Sequence, residues 1–190
     1  MGQSGGARVR RAWLETGYKL LVERGAAGLK LPLLCETMGL TKGSFYHHFN
    51  GLSDYKLALV KAWEEEFTLD VFNAASQNED PDQSHYDITL FFMQKDKAID
   101  HAVRTWAMTD KVAKDHLHRI DNLRIELLAK LFEKSSGLSS EEARLYAFLR
   151  YACFLGVNCL NPNIDDDKAR EIGRIHSRAM LNDSKLAKEN

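Results

Sequence analysis

The chain has 190 residues, a hydrophobic fraction of 44% and a formal net charge of −1 at pH 7, which suits one globular domain or two small ones. No run approaches the roughly 18 apolar residues needed to span a bilayer, and the start of the chain lacks the basic and apolar regions of a signal peptide. Three scattered cysteines, Cys35, Cys153 and Cys159, are too few for a disulfide framework. We therefore expect a cytoplasmic protein with no membrane partner.

The small net charge hides an asymmetry between the two ends of the chain. Residues 1–62 carry nine Lys and Arg against four Asp and Glu, a net +5, whereas residues 63–190 carry 17 basic against 23 acidic side chains, a net −6. A basic segment joined to a larger acidic one is typical of a polyanion-binding part attached to a part with another task. A chance division of a solvated surface is the alternative.

Helical periodicity runs through most of the chain, and with only three prolines and little β-branched alternation it predicts an all-α fold of about nine helices. The first helix follows the apolar spacing from Val9 through Trp13 and ends at Gly25. Residues 2–6 are expected to form a flexible leader. Pro32 opens a short second helix, where its missing N–H is not needed.

The third helix is predicted to be short, with two unlike faces. Thr41 is a suitable N-cap after a tight connection at residues 38–41. Phe45 and Phe49 lie one turn apart, so they share a face that can be anchored to a small core. The opposite face and the flanks carry small, polar or basic residues: Gly43, Ser44, Tyr46, His47 and His48. Such a helix can present a polar surface outward, and the major groove of DNA is the candidate partner.

Residues 50–51, Asn-Gly, break the third helix, and Ser53 is predicted to cap a long fourth helix that runs to about residue 75. A polar loop follows at residues 77–84. Two further helices are expected near residues 86–94 and 97–108.

The last part of the chain is predicted to hold three more helices. A long amphipathic helix at about residues 110–134 stops at Gly137. Ser139 or Ser140 with Glu142 resembles a capping box that opens the next helix, which runs to about residue 160. The final helix begins at residues 165–167 and ends near residue 181, and the tail beyond it is expected to be frayed.

The second helix, the turn at Gly39-Leu40 and the third helix together form a helix-turn-helix pattern. From Leu31 to Phe49 the chain resembles the TetR family of transcriptional regulators, because the Gly-apolar-Thr turn, the following glycine, the tyrosine and the His-Phe ending all fall in register. The resemblance covers roughly residues 7–63. It implies a helix-turn-helix DNA-binding domain at residues 7–52 and a helical effector-binding and dimerisation domain at residues 53–183.

The same resemblance assigns DNA-contacting roles to individual residues. Thr41 caps the third helix and touches a phosphate, Ser44 meets a base edge, and Gly43 permits close approach. Lys30 stands where the family usually has a capping threonine, and Leu52 where it usually has a lysine; Lys56, one turn later, is the substitute. For Tyr46 and His48 the alternative is that they only cover the core. The predicted contact residues are Lys30, Thr41, Lys42, Gly43, Ser44, Tyr46, His47, His48 and Lys56.

The C-terminal domain is rich in large apolar residues, which fit either a filled core or, as the resemblance implies, a cavity for an unknown small-molecule effector. Arg104 and Asn158 are the candidate polar groups, with Asp121 as the alternative structural partner of Arg104. The predicted ligand-binding residues are Phe67, Phe91, Arg104, Trp106, Tyr151, Phe154 and Asn158.

The resemblance also implies a homodimer that pairs its last two helices and binds a near-palindromic double-stranded operator, most often as a repressor. A stripe suited to close helix packing supports this interface, although an intramolecular core is the alternative; it consists of Leu145, Leu149, Ala152, Gly156 and Leu160.

No set of residues indicates catalysis or a resident cofactor. His116 and His118 are two apart on a helix and point in different directions, so they cannot share one metal ion and are expected to be solvated. Cys153 and Cys159 are expected to be small core residues, and Cys35 a small structural residue between the short helices. We predict no enzyme activity, no metal and no cofactor. The alternative function is a helical small-molecule or protein-binding module whose DNA-binding part is inactive.

Overall fold

The computed structural model describes residues 2–80, 83–85, 87–88, 97–161 and 164–189, and no β-strand occurs among them. The all-α prediction is confirmed. Residues 83–85 and 87–88 are also helical. Residues 83–84 belong to the loop predicted at 77–84, and residues 87–88 to the helix predicted at 86–94, the rest of which lies outside the described residues. The longer helices are α1 Gly2–Arg24, α2 Leu31–Met38, α3 Lys42–His48, α4 Leu52–Glu64, α5 Asp70–Ser76, α6 Lys97–Ala107, α7 Lys111–Ser136, α8 Ser140–Leu160 and α9 Asp166–Glu189.

The chain packs as two compact units, each made of two stretches of sequence. The head unit comprises Met1–Glu64 and Ala98–His118, and the body unit comprises Glu65–Lys97 and Arg119–Asn190. By packing, α4 and nearly all of α6 thus belong to the head unit. The functional division predicted between residues 52 and 53 stays a prediction.

The ends of three helices differ from the sequence-based expectations. Helix α1 begins at Gly2, so the expected flexible leader is helical, and a Cβ at Gly5 or Gly6 would meet nothing within 4 Å. Helix α4 begins at Leu52, one residue before the predicted cap Ser53. The helical run after it contains a π-helical turn at Glu65–Leu69 before α5. Helix α9 continues to Glu189 instead of fraying after residue 182.

The core of the head unit is aromatic. Trp13, Phe45, Phe49, Tyr55 and Trp63 are all at most 2% exposed. Trp13 meets Phe45 edge-on with ring centroids 5.5 Å apart, and Phe49 meets Tyr55 edge-on at 5.0 Å, arrangements that aromatic quadrupoles favour. The buried hydroxyl of Tyr55 donates to the carbonyl oxygen of Trp13 at 2.7 Å. These contacts pack α1, α3 and α4 into one support for α3.

A glycine in α1 makes this close packing possible. A Cβ on Gly17 would lie 2.1 Å from the hydroxyl oxygen of Tyr55 and 3.1 Å from a methyl carbon of Leu59. Only glycine lets α1 approach α4 closely enough for the Tyr55 hydroxyl to reach its carbonyl partner.

The body unit has an apolar core that includes Val71, Phe72, Leu128 and Phe132. Helix α8 starts with the predicted capping box: the Ser139 hydroxyl accepts from the Glu142 N–H, and the Glu142 carboxylate accepts from the Ser139 N–H. The choice of Ser139 over Ser140 is thereby decided, because Ser140 is already the first helical residue.

A charged side chain, Arg124, is fully buried in the same unit. Its guanidinium donates to the Thr68 hydroxyl at 2.9 Å, the Phe67 carbonyl oxygen at 3.1 Å and the Tyr151 hydroxyl at 3.0 Å. The Tyr151 hydroxyl in turn donates to Asp121 at 2.6 Å. Since Phe67 and Thr68 belong to the π-helical turn, Arg124 holds that irregular segment and offsets the cost of its own burial.

Candidate nucleic-acid interface and body cavity

The helix-turn-helix in the head unit is built by local signals. Pro32 lies in the first turn of α2, and α2 ends at Gly39, whose left-handed backbone (φ 66°, ψ 25°) lets its N–H reach the carbonyl oxygens of Cys35 and Glu36. The Leu40 N–H donates to the Cys35 carbonyl oxygen at 3.1 Å, which completes the helix stop. Lys30 sits at the N-cap of α2 in extended conformation and makes no side-chain cap bond, as expected for lysine.

Helix α3 starts where predicted. Thr41 adopts an extended backbone as the N-cap, and its hydroxyl oxygen accepts from the Ser44 N–H at 3.3 Å. Phe45 and Phe49 are buried at 0% and 2% exposure, so the helix is fixed to the aromatic core along one side. Its orientation is therefore set by packing as well as by the cap.

The other side of α3 is open. Thr41, Lys42, Gly43 and His47 are exposed, and Tyr46 is 57% exposed. The two remaining predicted contact residues of the helix are half-buried: Ser44 and His48. The structure thus brings these seven predicted residues together on one short helix and its cap.

Gly43 has no internal reason to be glycine. Its backbone is not in the left-handed region, and a Cβ there would meet only the Thr41 hydroxyl oxygen, at an ordinary 3.6 Å. Glycine inside a helix costs about 0.5–1 kcal/mol relative to alanine. The fold therefore does not require this residue, unlike Gly17.

The environment of His48 is apolar and positive. Burial lowers the pKa of His48, and the neighbouring His47 and Arg10 lower it further. The His47 and His48 rings lie 5.0 Å apart, edge to face. The lowered pKa favours the neutral form of the His48 ring, which can act as a hydrogen-bonding group. Covering the core remains the alternative role, because its ring is 6.4 Å from that of Phe49.

Arg10 was not among the predicted contact residues. Its guanidinium lies 5.1 Å from the centroid of the Phe49 ring, at the C-terminal end of α3, and the residue is exposed. The signal was present as the cluster Arg8, Arg10 and Arg11, which dominates the charge of the first helix. The sequence does not show that α1 packs beside α3, and this packing is what places Arg10 next to the end of α3.

Lys56 has an internal partner. Its ammonium lies 2.6 Å from a carboxylate oxygen of Asp110, and the side chains are only 26% and 16% exposed. Burial raises the pKa of Asp110, but hydrogen bonds from Lys56 and the Ala113 N–H, with the charge of Lys56, bring it below the ordinary value. Asp110 thus neutralises the lysine predicted to grip DNA. Leu52, at the family's usual lysine position, is half-buried.

The body unit contains a cavity of about 70 Å³. Its polar lining residues are Lys97, Arg150, Tyr151, Cys153, Asn158 and His176, and none of its described lining residues is acidic. The rest of the described lining is apolar or small: Ile88, Leu128, Phe154, Val157, Ala169, Ile172 and Gly173.

Burial shifts the pKa values of three residues that line this cavity, and the charge of Arg150 acts on two of them. Burial lowers the pKa of Arg150 to about 10, so the guanidinium stays charged at neutral pH; one of its nitrogens donates to the His85 carbonyl oxygen. Burial also lowers the pKa of His176, and the charge of Arg150 lowers it further. Burial raises the pKa of the Cys153 thiol, which argues against an activated thiolate.

The cavity gathers only part of the predicted ligand-binding set. Tyr151, Phe154 and Asn158 line it. Arg104 and Trp106 belong to the head unit instead, where Arg104 donates to Asp100 at 2.9 Å and Trp106 is buried. They were grouped with the cavity because the order of helices along the chain does not reveal which unit α6 joins. Phe67 is buried in the body unit but is not a described lining residue, and Phe91 lies outside the described residues.

The predicted dimer stripe lies on the surface of α8. Leu145, Leu149 and Leu160 are each more than half exposed, and Ala152 is exposed. Phe148 beside them is also more than half exposed. The alternative of an intramolecular core therefore does not hold for these leucines. Cys159 is exposed as well, contrary to its predicted core position, because the end of α8 is not covered.

The described residues give little support to the other kinds of site that were considered. Across the residues with a described structure, no cluster of three or more His, Cys, Asp or Glu side chains is arranged to hold a metal ion. His116 is half-buried, with its Nδ1 3.1 Å from the Val112 carbonyl oxygen. None of the helices in the described part of the chain is long and apolar enough to cross a membrane.

Comparisons with known proteins agree with this geometry. Residues 14–52 match the sequence model of the family described as "Bacterial regulatory proteins, tetR family", a segment that contains α2, the turn and α3. No match was found among curated proteins.

Solved structures share the fold over nearly the whole chain. The TetR-family regulator SCO4454 from Streptomyces coelicolor is 15% identical, with a TM-score of 0.74 over 95% of this chain and 90% of that one. A transcriptional regulator from Rhodococcus sp. Rha1 is 13% identical, with a TM-score of 0.76 over 93% and 97%. The reduced form of NemR from E. coli is 21% identical, with a TM-score of 0.63 over 93% and 95%.

The family is one of regulatory proteins, which agrees with the prediction that the chain is not an enzyme. Its match falls on the segment that carries helix α3, and solved structures of regulators share the fold of nearly the whole chain. The chain thus carries, at residues 14–52, a segment that matches the TetR family of bacterial regulatory proteins, within a fold that solved TetR-family regulators share.

Proposed function

We propose that the protein is a sequence-specific DNA-binding repressor in which α3 enters the major groove. The observation that carries this proposal is Gly43: it lies on the open face of a rigidly anchored helix and serves no purpose within the fold. A missing side chain at that point allows the helix backbone to approach a base pair closely. The family match supports the same conclusion.

The predicted residues take distinct roles in this complex. Ser44 reads a base edge, while Thr41 and Lys42 meet phosphates at the start of α3. Tyr46 reaches a phosphate with its exposed hydroxyl. The flanking groups that add positive charge or hydrogen bonds to the backbone contact are Lys30, His47 and His48. Lys56 adds least, because Asp110 neutralises it.

The protein acts as a homodimer in this proposal. The exposed stripe on α8, together with Ile175 on α9, presents apolar side chains that a partner copy would cover. Two copies of α3 would then read half-sites about 34–36 Å apart on a near-palindrome. A small-molecule effector in the body cavity would lower operator affinity by binding better to a conformation in which the two helices do not fit that spacing.

Gly43→Ala is the test. Because a Cβ fits within the protein, we expect stability in chemical denaturation to stay equal or rise by up to about 1 kcal/mol, while affinity for the DNA upstream of the protein's own gene falls at least about tenfold. Lys134→Ala, an exposed change on α7 in the body unit, is the control and should alter neither. Unchanged DNA affinity in Gly43→Ala would remove α3 as the groove-entering helix.

The alternative function, a ligand-binding module with an inactive head, makes a different prediction. It requires that the wild-type protein prefers no DNA over random sequence and shows no salt-dependent binding, while ligands still raise its melting temperature. Competition with random DNA at several salt concentrations separates the two.

A further inference from the structure

Arg10 on α1 places a guanidinium at the end of α3. It lies 5.1 Å from the centroid of the Phe49 ring, and Phe49 is the C-cap residue of α3. The ring is buried, at 2% exposure, whereas Arg10 is exposed. A guanidinium over an aromatic ring is held by cation–π attraction and by the contact of two planar groups. The charge of Arg10 is therefore held beside α3 while the residue stays accessible from outside.

The adjacent arginine of α1 has an acidic partner, and Arg10 differs from it in this respect. The Arg11 guanidinium lies 3.0 Å from a carboxylate oxygen of Glu15, one turn further along the helix. The corresponding neighbours of Arg10, one turn before and after it, are Gly6 and Leu14. Within the part of the chain that the structure describes, no carboxylate contacts Arg10. The charge of Arg10 is thus available to an anion from outside the protein.

The length of α3 brings both of its ends close to the borders of a DNA groove. The helix has seven residues, which span about 10 Å at 1.5 Å per residue, and the major groove is about 12 Å wide. Thr41 and Lys42 stand at the start of the helix. Its end carries the partial negative charge of a helix C-terminus, which disfavours a phosphate there. A positive charge held at this end offsets that repulsion, and Arg10 supplies one.

We propose that Arg10 binds a DNA phosphate at the end of α3, on the other border of the groove from Thr41 and Lys42, and thereby fixes the orientation of α3. This inference adds a contact from α1 to the proposed DNA complex and so rests on the proposed function. A guanidinium can donate two parallel hydrogen bonds to one phosphate. Stacking on Phe49 orients the guanidinium before DNA arrives, which lowers the entropy lost on binding. The contact carries no base preference, because it is made to the DNA backbone.

The competing explanation is that Arg10 only covers the Phe49 ring with its stem. Arg10→Met separates the two roles, because it keeps a long apolar side chain over the ring and removes the charge. Arg11→Met is the matched control: it removes the same charge from the adjacent exposed residue of the same helix, whose partner is Glu15. Arg10→Lys keeps the charge without the planar group.

The first measurement is DNA binding by the full-length protein at several salt concentrations. The probes are the DNA upstream of the protein's own gene and versions of it with single base pairs changed. Arg10→Met should reduce the slope of log affinity against log salt concentration by about 0.9, the value for one phosphate contact. It should weaken binding to every probe by the same factor, at least about tenfold. Arg10→Lys should keep the slope and lose part of the affinity, and Arg11→Met should change the slope by less than half as much as Arg10→Met.

The second measurement needs no DNA. Burial lowers the pKa of His48, and the charges of His47 and Arg10 lower it further. Removing the charge of Arg10 should therefore raise the pKa of His48, which an NMR titration of the histidine ring protons measures. Arg11→Met should leave that pKa unchanged. The same spectra show whether each variant is folded.

The outcomes separate this inference from the proposed function. The inference is overturned, and the DNA-binding proposal stands, when the wild type prefers its upstream DNA but Arg10→Met keeps the full salt slope, or loses no more of it than Arg11→Met. An unchanged pKa of His48 in Arg10→Met also overturns the inference, because Arg10 would then not lie beside α3 in solution. Both proposals fall when the wild type prefers no DNA over random sequence.

Discussion

The two units of this protein differ in what they bury. The head unit packs Trp13, Phe45, Phe49 and Tyr55 against one another, and the buried Tyr55 hydroxyl is satisfied by a backbone carbonyl. The body unit buries Arg124 and Arg150, together with His85. A dense aromatic core suits a support that must hold a helix in one orientation, whereas buried charges are costly and are retained where they organise a cavity or an irregular segment.

The largest expected effect comes from removing an aromatic anchor of the head. Phe45→Ala leaves a cavity at the centre of the core and should lower the free energy of unfolding by about 3–5 kcal/mol, with loss of operator binding. Denaturant titration and a DNA-binding assay on the same samples measure both.

Tyr46→Ala is the matched control, because it changes the adjacent, 57% exposed residue of the same helix. Its unfolding free energy should change by no more than about 0.5 kcal/mol, yet its DNA affinity should fall. Equal loss of stability in both variants would contradict the assignment of α3 to a buried and an open face.

Overpacking between α1 and α4 is expected to be the next largest effect. Gly17→Ala places a Cβ 2.1 Å from the Tyr55 hydroxyl oxygen, and relieving that clash should cost about 1–3 kcal/mol of stability. The same substitution in a Tyr55→Phe background should cost less, since the clashing oxygen is gone. Gly5→Ala, where a Cβ meets nothing within 4 Å, should not destabilise; a similar loss there would point to backbone effects instead.

Removing one hydroxyl in the body unit tests whether the buried charge of Arg124 is stabilised by specific partners. Tyr151→Phe removes the link between Arg124 and Asp121, and thermal or chemical unfolding should show a loss of about 1–3 kcal/mol. Tyr146→Phe on the same helix removes a hydroxyl that donates to Asp183 at the surface and should cost less than about 1 kcal/mol. If the two losses are equal, the Arg124 cluster contributes no more than a surface contact.

The smallest effect concerns Lys56 and its ion pair. Lys42→Ala should reduce the slope of log affinity against log salt concentration by about 0.9, the value for one phosphate contact. Lys56→Met should reduce this slope by less, because Asp110 already neutralises Lys56. Asp110→Asn releases Lys56 and should tighten DNA binding slightly. Equal slope changes for the two lysine variants would show that Lys56 leaves Asp110 and grips a phosphate directly.

Local signals explain why the head could be predicted so closely. The Thr41 cap, the left-handed Gly39 and the spacing of Phe45 and Phe49 each act within a few residues of one another, so the sequence contains all the partners they need. The capping box at Ser139 and Glu142 was predictable for the same reason. Helix ends without such signals, at Gly2 and Glu189, were predicted wrongly.

The sequence by itself determined the all-α fold, the helix-turn-helix and the two faces of α3, since helical periodicity and capping depend on neighbours in the chain. Only the tertiary structure decided that Arg104 lies in the head unit, that Asp110 neutralises Lys56 and that Arg150 and His176 share a cavity. Lys56 and Asp110 are 54 residues apart, and periodicity shows which side of a helix is apolar without showing which other helix that side meets.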